Sequence, residues 1–226
     1  MSALRPVWDI WVRLGHWLIV AGVVFQQISG KELELIDAHA TVGILLCGWV
    51  LFRFTWGFTG PRFARFSSFP PPSLKAALNS ITLLLRKEPE RGPGHSAIGG
   101  IAVYSMITLI GLTALTGMTS SDDIFFSGPL APLVSAGTVD LASRAHTVLS
   151  ELVLIIVIVH VVAVLWHQIL IKERLIQGMI TGLKSGPDEP TDHPHPFSKM
   201  IVIRGFFIFI ACVGGAYGLL GVYLGW

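Results

Sequence analysis

Two histidines, His146 and His160, stand fourteen positions apart on one uninterrupted apolar segment. Fourteen steps of α-helix turn about 1,400°, about 40° short of four full turns, and rise about 21 Å, so both imidazoles face one way at two depths. Imidazole is a common metal ligand, and that spacing suits two haem irons stacked along a helix. His16 and His39 lie near the ends of two other apolar segments, which makes four imidazoles, enough to fill both axial positions of two haems. An iron with both axial positions filled has no open site for oxygen, so the chemistry expected is electron transfer.

Depth along the segments pairs the four. His16 falls near the cytoplasmic start of the first segment, and His39 opens the second at the outer side. The segment carrying the other two enters from outside, so His146 is shallow and His160 deep. His39 is therefore expected with His146 around an outer haem, and His16 with His160 around an inner one. A flat macrocycle needs close backbone approach, which glycine allows. Gly43 lies one turn beyond His39, and Gly15, Gly22, Gly111 and Gly117 offer further flat places, although glycine in membrane helices serves helix packing as often. Haem propionates call for basic partners. Arg13, Arg53, Arg62 and Arg65 on the inner side and Arg144 beside His146 on the outer side are the candidates, and topology alone also accounts for most of them.

Other polar residues read differently. His167 keeps the face of His160 seven residues on, but it stands about 31 Å of rise from His146. Beside Trp166 and Gln168 it reads as an interfacial residue. His193 and His195 read as polar residues of a proline-rich loop. Glu151, within an apolar segment, fits a protonated carboxyl, a bond to a neighbouring helix or a proton path to a quinone, and the sequence leaves the three open. Cys47 and Cys212 read as buried structural thiols. With no Cys-x-x-Cys-His motif present, haem would be bound non-covalently, as b-type.

The elements that must position these residues are transmembrane helices. Of 226 residues 52% are hydrophobic and only 13% charged, with mean hydropathy +0.67, too apolar for a soluble domain of this size. Apolar windows run from Leu14 to Ile28, Ala40 to Phe58, Ile98 to Thr119, Thr147 to Ile171 and Ile201 to Leu224, and all but the short first one approach or exceed the roughly 20 residues that cross about 30 Å of hydrocarbon. Pro6 and the interfacial Trp8 and Trp11 suit a first helix that begins upstream of Arg13. No small-residue cleavage motif follows Val24, so this segment is expected to stay as a span. All Lys and Arg but Lys31 and Arg144 fall on one side of the spans, which predicts the N-terminus in the cytoplasm and the C-terminus in the periplasm. The net charge of +2 therefore tracks topology and gives no nucleic-acid patch.

Ser73 after Pro70-Pro71-Pro72 can cap a helix to about Lys87. There Leu74, Leu78, Ile81 and Leu85 would face the inner leaflet beside Lys75, Arg86 and Lys87, with a partner-docking surface as the alternative. The expected fold is an all-α membrane protein. Residues 1–184 form a four-helix transmembrane haem-binding bundle, 185–200 a Pro-rich cytoplasmic loop and 201–226 a fifth, C-terminal transmembrane helix.

Several pieces together resemble the bacterial dihaem cytochrome b family, the cytochrome b561-type proteins that include the cytochrome b subunits of nickel-iron hydrogenases. They are Arg13-Leu14-Gly15-His16-Trp17, His39 with Gly43, Phe52-Arg53-Phe54-Thr55-Trp56-Gly57 with Ala64-Arg65-Phe66, and Gly94-His95 before Gly99-Gly100. The pair His146 and His160 and the run Met179-Ile180-Thr181-Gly182 complete the set, which spans about Val7 to Lys184. The resemblance implies ligands at His16, His39, His146 and His160, two b haems, and electron transfer between the quinone pool and a redox partner. That partner would be a periplasmic or membrane redox protein, a hydrogenase, a c-type cytochrome or a dehydrogenase, and the cytochrome itself would lie among the lipids of a bacterial inner membrane. Thr147 stands where members often carry an acid, and the fifth span lies outside the shared core. An electron-transfer subunit is thus expected, with quinone reduction or oxidation as an attached activity. Two other classes compete: a transporter using His and Glu151 as a relay, which would be colourless, and an anchor subunit, whose partner would work without the histidines.

Overall fold

The computed structural model describes residues 4–88, 94–185 and 198–222, so His193, His195 and most of the proline-rich loop lie outside the described residues. In chain order the main elements are β1 (Leu4–Pro6), α1 (Ile10–Ser29), α2 (Ile36–Thr59), α3 (Leu74–Arg86), α4 (Ala97–Thr119) and α5 (Ala136–Trp166). They continue with α6 (Leu175–Thr181), β2 (Leu183–Ser185), α7 (Lys199–Phe209) and α8 (Gly215–Leu220). Turns of π-helix at His167–Ile171 and Ile210–Gly214 extend α5 and join α7 to α8.

Among the described residues four helical stretches are long and apolar enough to cross a bilayer: Leu33–Thr59, Ala97–Thr119, Ala136–Ile171 and Lys199–Leu220. The first helix, expected as the first of five spans, is not among them, because its twenty residues include Arg13, His16, Gln26 and Gln27. It does begin upstream of Arg13, at Ile10. On α5, Ile155, Ile158, Val159 and Val162 are each more than half exposed. Such an apolar outer face is stable against hydrocarbon and costly against water.

The chain divides into two compact units. The first comprises Met1–Gly15, Phe54–Ser105 and Val157–Phe206. Its two-stranded antiparallel sheet sets Leu4 opposite Ser185 and Pro6 opposite Leu183. Asp9 caps α1: Oδ1 accepts from Trp11 N at 2.8 Å and Val12 N at 3.2 Å, and Oδ2 accepts from Trp56 Nε1 at 3.4 Å. Asp9 and Trp56 are both essentially inaccessible, and the Arg204 guanidinium lies 5.4 Å over the Trp56 ring. Gly205 lets α7 press on Trp11, whose Nε1 donates to the Val202 carbonyl at 3.1 Å; an added Cβ would fall 2.1 Å from that nitrogen. Phe58, Phe66, Phe69 and Tyr104 form an aromatic cluster in this unit, with neighbouring ring centroids 5.3–5.8 Å apart. The Ser73 hydroxyl accepts from Ala76 N to cap α3, and Trp166 Nε1 ties that helix in by donating to the Leu84 carbonyl at 3.1 Å.

The second unit comprises His16–Arg53, Met106–Ile156 and Phe207–Trp226. Ile44, Met118 and Ala216 form its buried centre, with Cys47, Leu130 and Leu220 packed against them. Gly48 brings α2 against the π turn after α7; a Cβ there would lie 2.7 Å from Val213 Cα. Gln27 Nε2 donates to the Ser150 carbonyl at 3.1 Å and so ties α1 to α5. The loop after α4 is closed by Asp122, whose Oδ1 accepts from the backbone N–H of Ile124, Phe125 and Phe126 at 2.8–3.0 Å. Those three donors, Phe126 first, hold its carboxyl below the usual carboxylate range.

Candidate functional site

His39, in the first turn of α2, and His146, in the third turn of α5, both belong to the second unit and lie side by side. Their ring centroids are 6.1 Å apart and their planes cross at 84°. Two imidazoles on opposite sides of one metal ion, each bound through a nitrogen at about 2 Å, bring their centroids to about 6 Å. The spacing fits a shared ion.

Each ring is held through Nδ1. The Ser29 hydroxyl donates its one proton to the Phe25 carbonyl at 2.8 Å, so its oxygen accepts from His39 Nδ1–H at 3.0 Å. His146 Nδ1 lies 2.9 Å from the Thr113 carbonyl, which can only accept. Each ring thus donates through Nδ1, and in its neutral form offers Nε2. That is the tautomer a metal needs, fixed by the outer partners that usually fix it. Glycine makes both contacts possible. A Cβ on Gly117 would fall 2.8 Å from His146 Cε1 and 3.0 Å from its Nδ1, and one on Gly30 would fall 3.1 Å from His39 Cε1. One turn beyond His39, Gly43 leaves room for Gln26, whose Oε1 is buried without a hydrogen-bond partner.

A family model described as prokaryotic cytochrome b561 matches residues 7–182, most of the chain and all four histidines. The chain belongs to the prokaryotic cytochrome b561 family. It is thus a membrane-spanning protein of b-type haem electron transfer. No curated protein and no solved structure matches it. The match stops at Gly182, before α7 begins. For this cytochrome the donor set at His39 and His146 fits haem iron: two imidazoles, each oriented through Nδ1 so that Nε2 is left for a metal, with no carboxylate or thiolate competing among the contacts described.

The other expected residues are placed as follows. His16 is half-buried in the second turn of α1, seven residues after the Asp9 cap, with its ring edge-on to Trp17 at 5.1 Å and 89°. It belongs to the second unit, whereas His160, half-buried on α5, belongs to the first. Arg53 is 6% exposed on α2. It stands fourteen residues after His39, the interval that also separates His146 from His160. Arg13 donates to the Ile180 carbonyl, and Arg65 Nε donates to the Gly60 carbonyl at 2.7 Å, so both guanidiniums are anchored to backbone. Arg62 lies 5.3 Å over the Phe63 ring, and Arg144 is exposed.

His167 is tied into its turn by a 2.7 Å contact from Nδ1 to Glu173 Oε2. That hydrogen bond, helped by the charge of Lys184 and opposed by burial, holds the Glu173 carboxyl below the usual range. His95 sits between Trp8 and Phe69, with centroids at 4.7 and 4.3 Å. Glu151 is exposed on α5, and Cys47 and Cys212 are half-buried free thiols.

Three contributors escaped the sequence reading: Ser29, the Thr113 carbonyl and Asp9. The first two act through a hydroxyl at a helix end and a backbone oxygen, neither of which has a motif. Asp9 did carry a signal, an acid just before an apolar helical run, as helix caps do.

Proposed function

We propose that this cytochrome carries two bis-histidine b haems and passes electrons between a membrane quinone and a redox partner. His39 and His146 hold the outer haem; His16 and His160 hold the inner one. The observation that carries the reading is the His39–His146 pair, with crossed rings 6.1 Å apart and both Nδ1 protons already committed to protein acceptors. A proton relay would need those nitrogens to exchange partners, whereas here each is fixed in one tautomer.

Bound b haem supplies a one-electron ferric–ferrous couple. The residues do the rest. His16, His39, His146 and His160 would hold the two haems, and with every iron position they reach taken by imidazole the chemistry supplied would be electron transfer. His146 and His160, about 21 Å of helix rise apart on α5, set the two centres at different depths. Arg13, Arg53 and Arg65 offset propionate charge on the inner side, and Arg144 does so on the outer. Five spans, with α1 inserted through its haem-binding face and α7 to α8 as the last, put the N-terminus in the cytoplasm and the C-terminus in the periplasm of a bacterial inner membrane. Nearly all the basic residues then lie inside. The quinone exchanges electrons at the inner end. At the outer end a hydrogenase, a c-type cytochrome or another dehydrogenase meets the acidic loops around Asp122, Asp123 and Asp140. α3 lies on the inner leaflet, its exposed Leu74, Leu78 and Leu85 in lipid.

A pyridine haemochrome assay with quantitative protein analysis tests the stoichiometry. Two b haems per chain are expected; one haem, or none, would defeat the proposal.

A further inference from the structure

We propose that Ser29 is a positioning residue for the outer haem: its hydroxyl passes the His39 Nδ1–H bond on to the Phe25 carbonyl, fixes the ring's tautomer and rotation, and lowers the potential of the iron that His39 binds. The inference rests on the bis-histidine reading of His39.

The geometry is one-directional. A serine in a helix back-bonds to the carbonyl four residues earlier, and Ser29 does so to Phe25 at 2.8 Å. That bond uses the only hydroxyl proton, so toward His39, 3.0 Å away, the oxygen is an acceptor and nothing else. Ser29 is fully buried. Glycine at the next position is what makes room for the ring: a Cβ at Gly30 would sit 3.1 Å from His39 Cε1. His39 is in the first turn of α2, where its own helix gives it no acceptor for Nδ1, so the end of α1 supplies one. His146 takes its acceptor from a backbone carbonyl that no side-chain substitution deletes. Of the two outer ligands, His39 is therefore the one tuned by a replaceable group.

Donation from Nδ1–H makes Nε2 a stronger donor to the metal and favours the ferric state. A ferric–ferrous difference in this bond as large as one neutral hydrogen bond of ordinary strength corresponds to about fivefold in the equilibrium, which for a one-electron couple is a rise of about 40 mV.

The test is a spectroelectrochemical titration of the purified holoprotein carrying Ser29→Ala, with Ser29→Thr as the variant that keeps a hydroxyl. The outer haem is identified as the one lost in His146→Ala. Expected are two haems in Ser29→Ala, an outer potential about 40 mV higher, an unmoved inner potential, and near wild-type behaviour in Ser29→Thr. Loss of the outer haem from Ser29→Ala but not from Ser29→Thr also supports the role, since the hydroxyl is what separates them. An unmoved outer potential in Ser29→Ala, an equal rise in both variants, or loss of the haem from both, overturns it. If His39→Ala keeps the outer haem, the ligand assignment itself has failed; if His39→Ala loses it while Ser29→Ala changes nothing, only the role of Ser29 has.

Discussion

Replacing Gly117 by alanine puts a methyl group into the space that the His146 imidazole occupies. The added carbon would lie 2.8 Å from Cε1 and 3.0 Å from Nδ1, on the ring edge that makes the 2.9 Å bond to Thr113 O. An unstrained carbon–carbon contact is about 3.5–4.0 Å, so the ring must retreat by about 0.7–1.2 Å. The retreat breaks the Nδ1 bond and turns Nε2 off its axis. Overpacking of this kind costs about 1–3 kcal/mol, and loss of an outer partner of a metal-bound histidine lowers metal affinity about 10–100-fold. Gly137 is the control, because nothing lies within 4 Å of a Cβ there. The assay is haem content per chain, followed by haem titration of the apoprotein. Gly117→Ala should keep one haem and bind the second about 10–100-fold more weakly, while Gly137→Ala keeps both. Two haems at wild-type affinity in Gly117→Ala would refute the close-packed placement of His146.

Crossed imidazole planes leave the two iron dπ orbitals nearly degenerate, so the ferric outer haem should give a strongly anisotropic low-spin EPR signal that vanishes in His39→Ala; a near-rhombic signal would contradict the 84° angle. Asp9→Ala removes the cap of α1 and the acceptor for Trp56 Nε1. The holoprotein should lose about 2 kcal/mol in detergent unfolding, and unchanged stability would speak against the cap. Glu173 has a depressed carboxyl pKa, so its contact with His167 contributes above the unfolded-state pKa and fades as pH falls through the folded one. Melting curves of wild type and Glu173→Gln should therefore differ at neutral pH and converge in acid; a gap that persists in acid would contradict this. Ser73→Ala should cost α3 about 1 kcal/mol and speed hydrogen exchange at Ala76 and Ala77, and equal exchange rates would count against the cap.

The helices were legible in the sequence because hydropathy and length leave little choice. The predicted third span, Ile98 to Thr119, differs from α4 by one residue. The fourth was placed too late, at Thr147 in place of Ala136, because Asp140, Arg144 and the serines nearby lower the hydropathy of the first turns of α5 without ending the helix. The pairing of His39 with His146 followed from their depths, and the structure puts those rings together. The partners that orient them did not follow, since a carbonyl is the same at every residue and only the fold says which one faces an imidazole. In the sequence Gly117 reads as a flat place, but its reason for being glycine is one histidine ring. The β1–β2 pair was missed because three-residue strands carry no periodicity, and the π turns at His167 and Ile210 have no residue signature at all.

The pairing of ligands can be tested by combining substitutions and counting haem. His39→Ala and His146→Ala should each leave one haem per chain, and the two together should still leave one, because both remove the same centre. His39→Ala with His160→Ala should leave none. If the double variant of His39 and His146 is empty, or if the His39 and His160 variant keeps a haem, the four histidines are not paired as proposed.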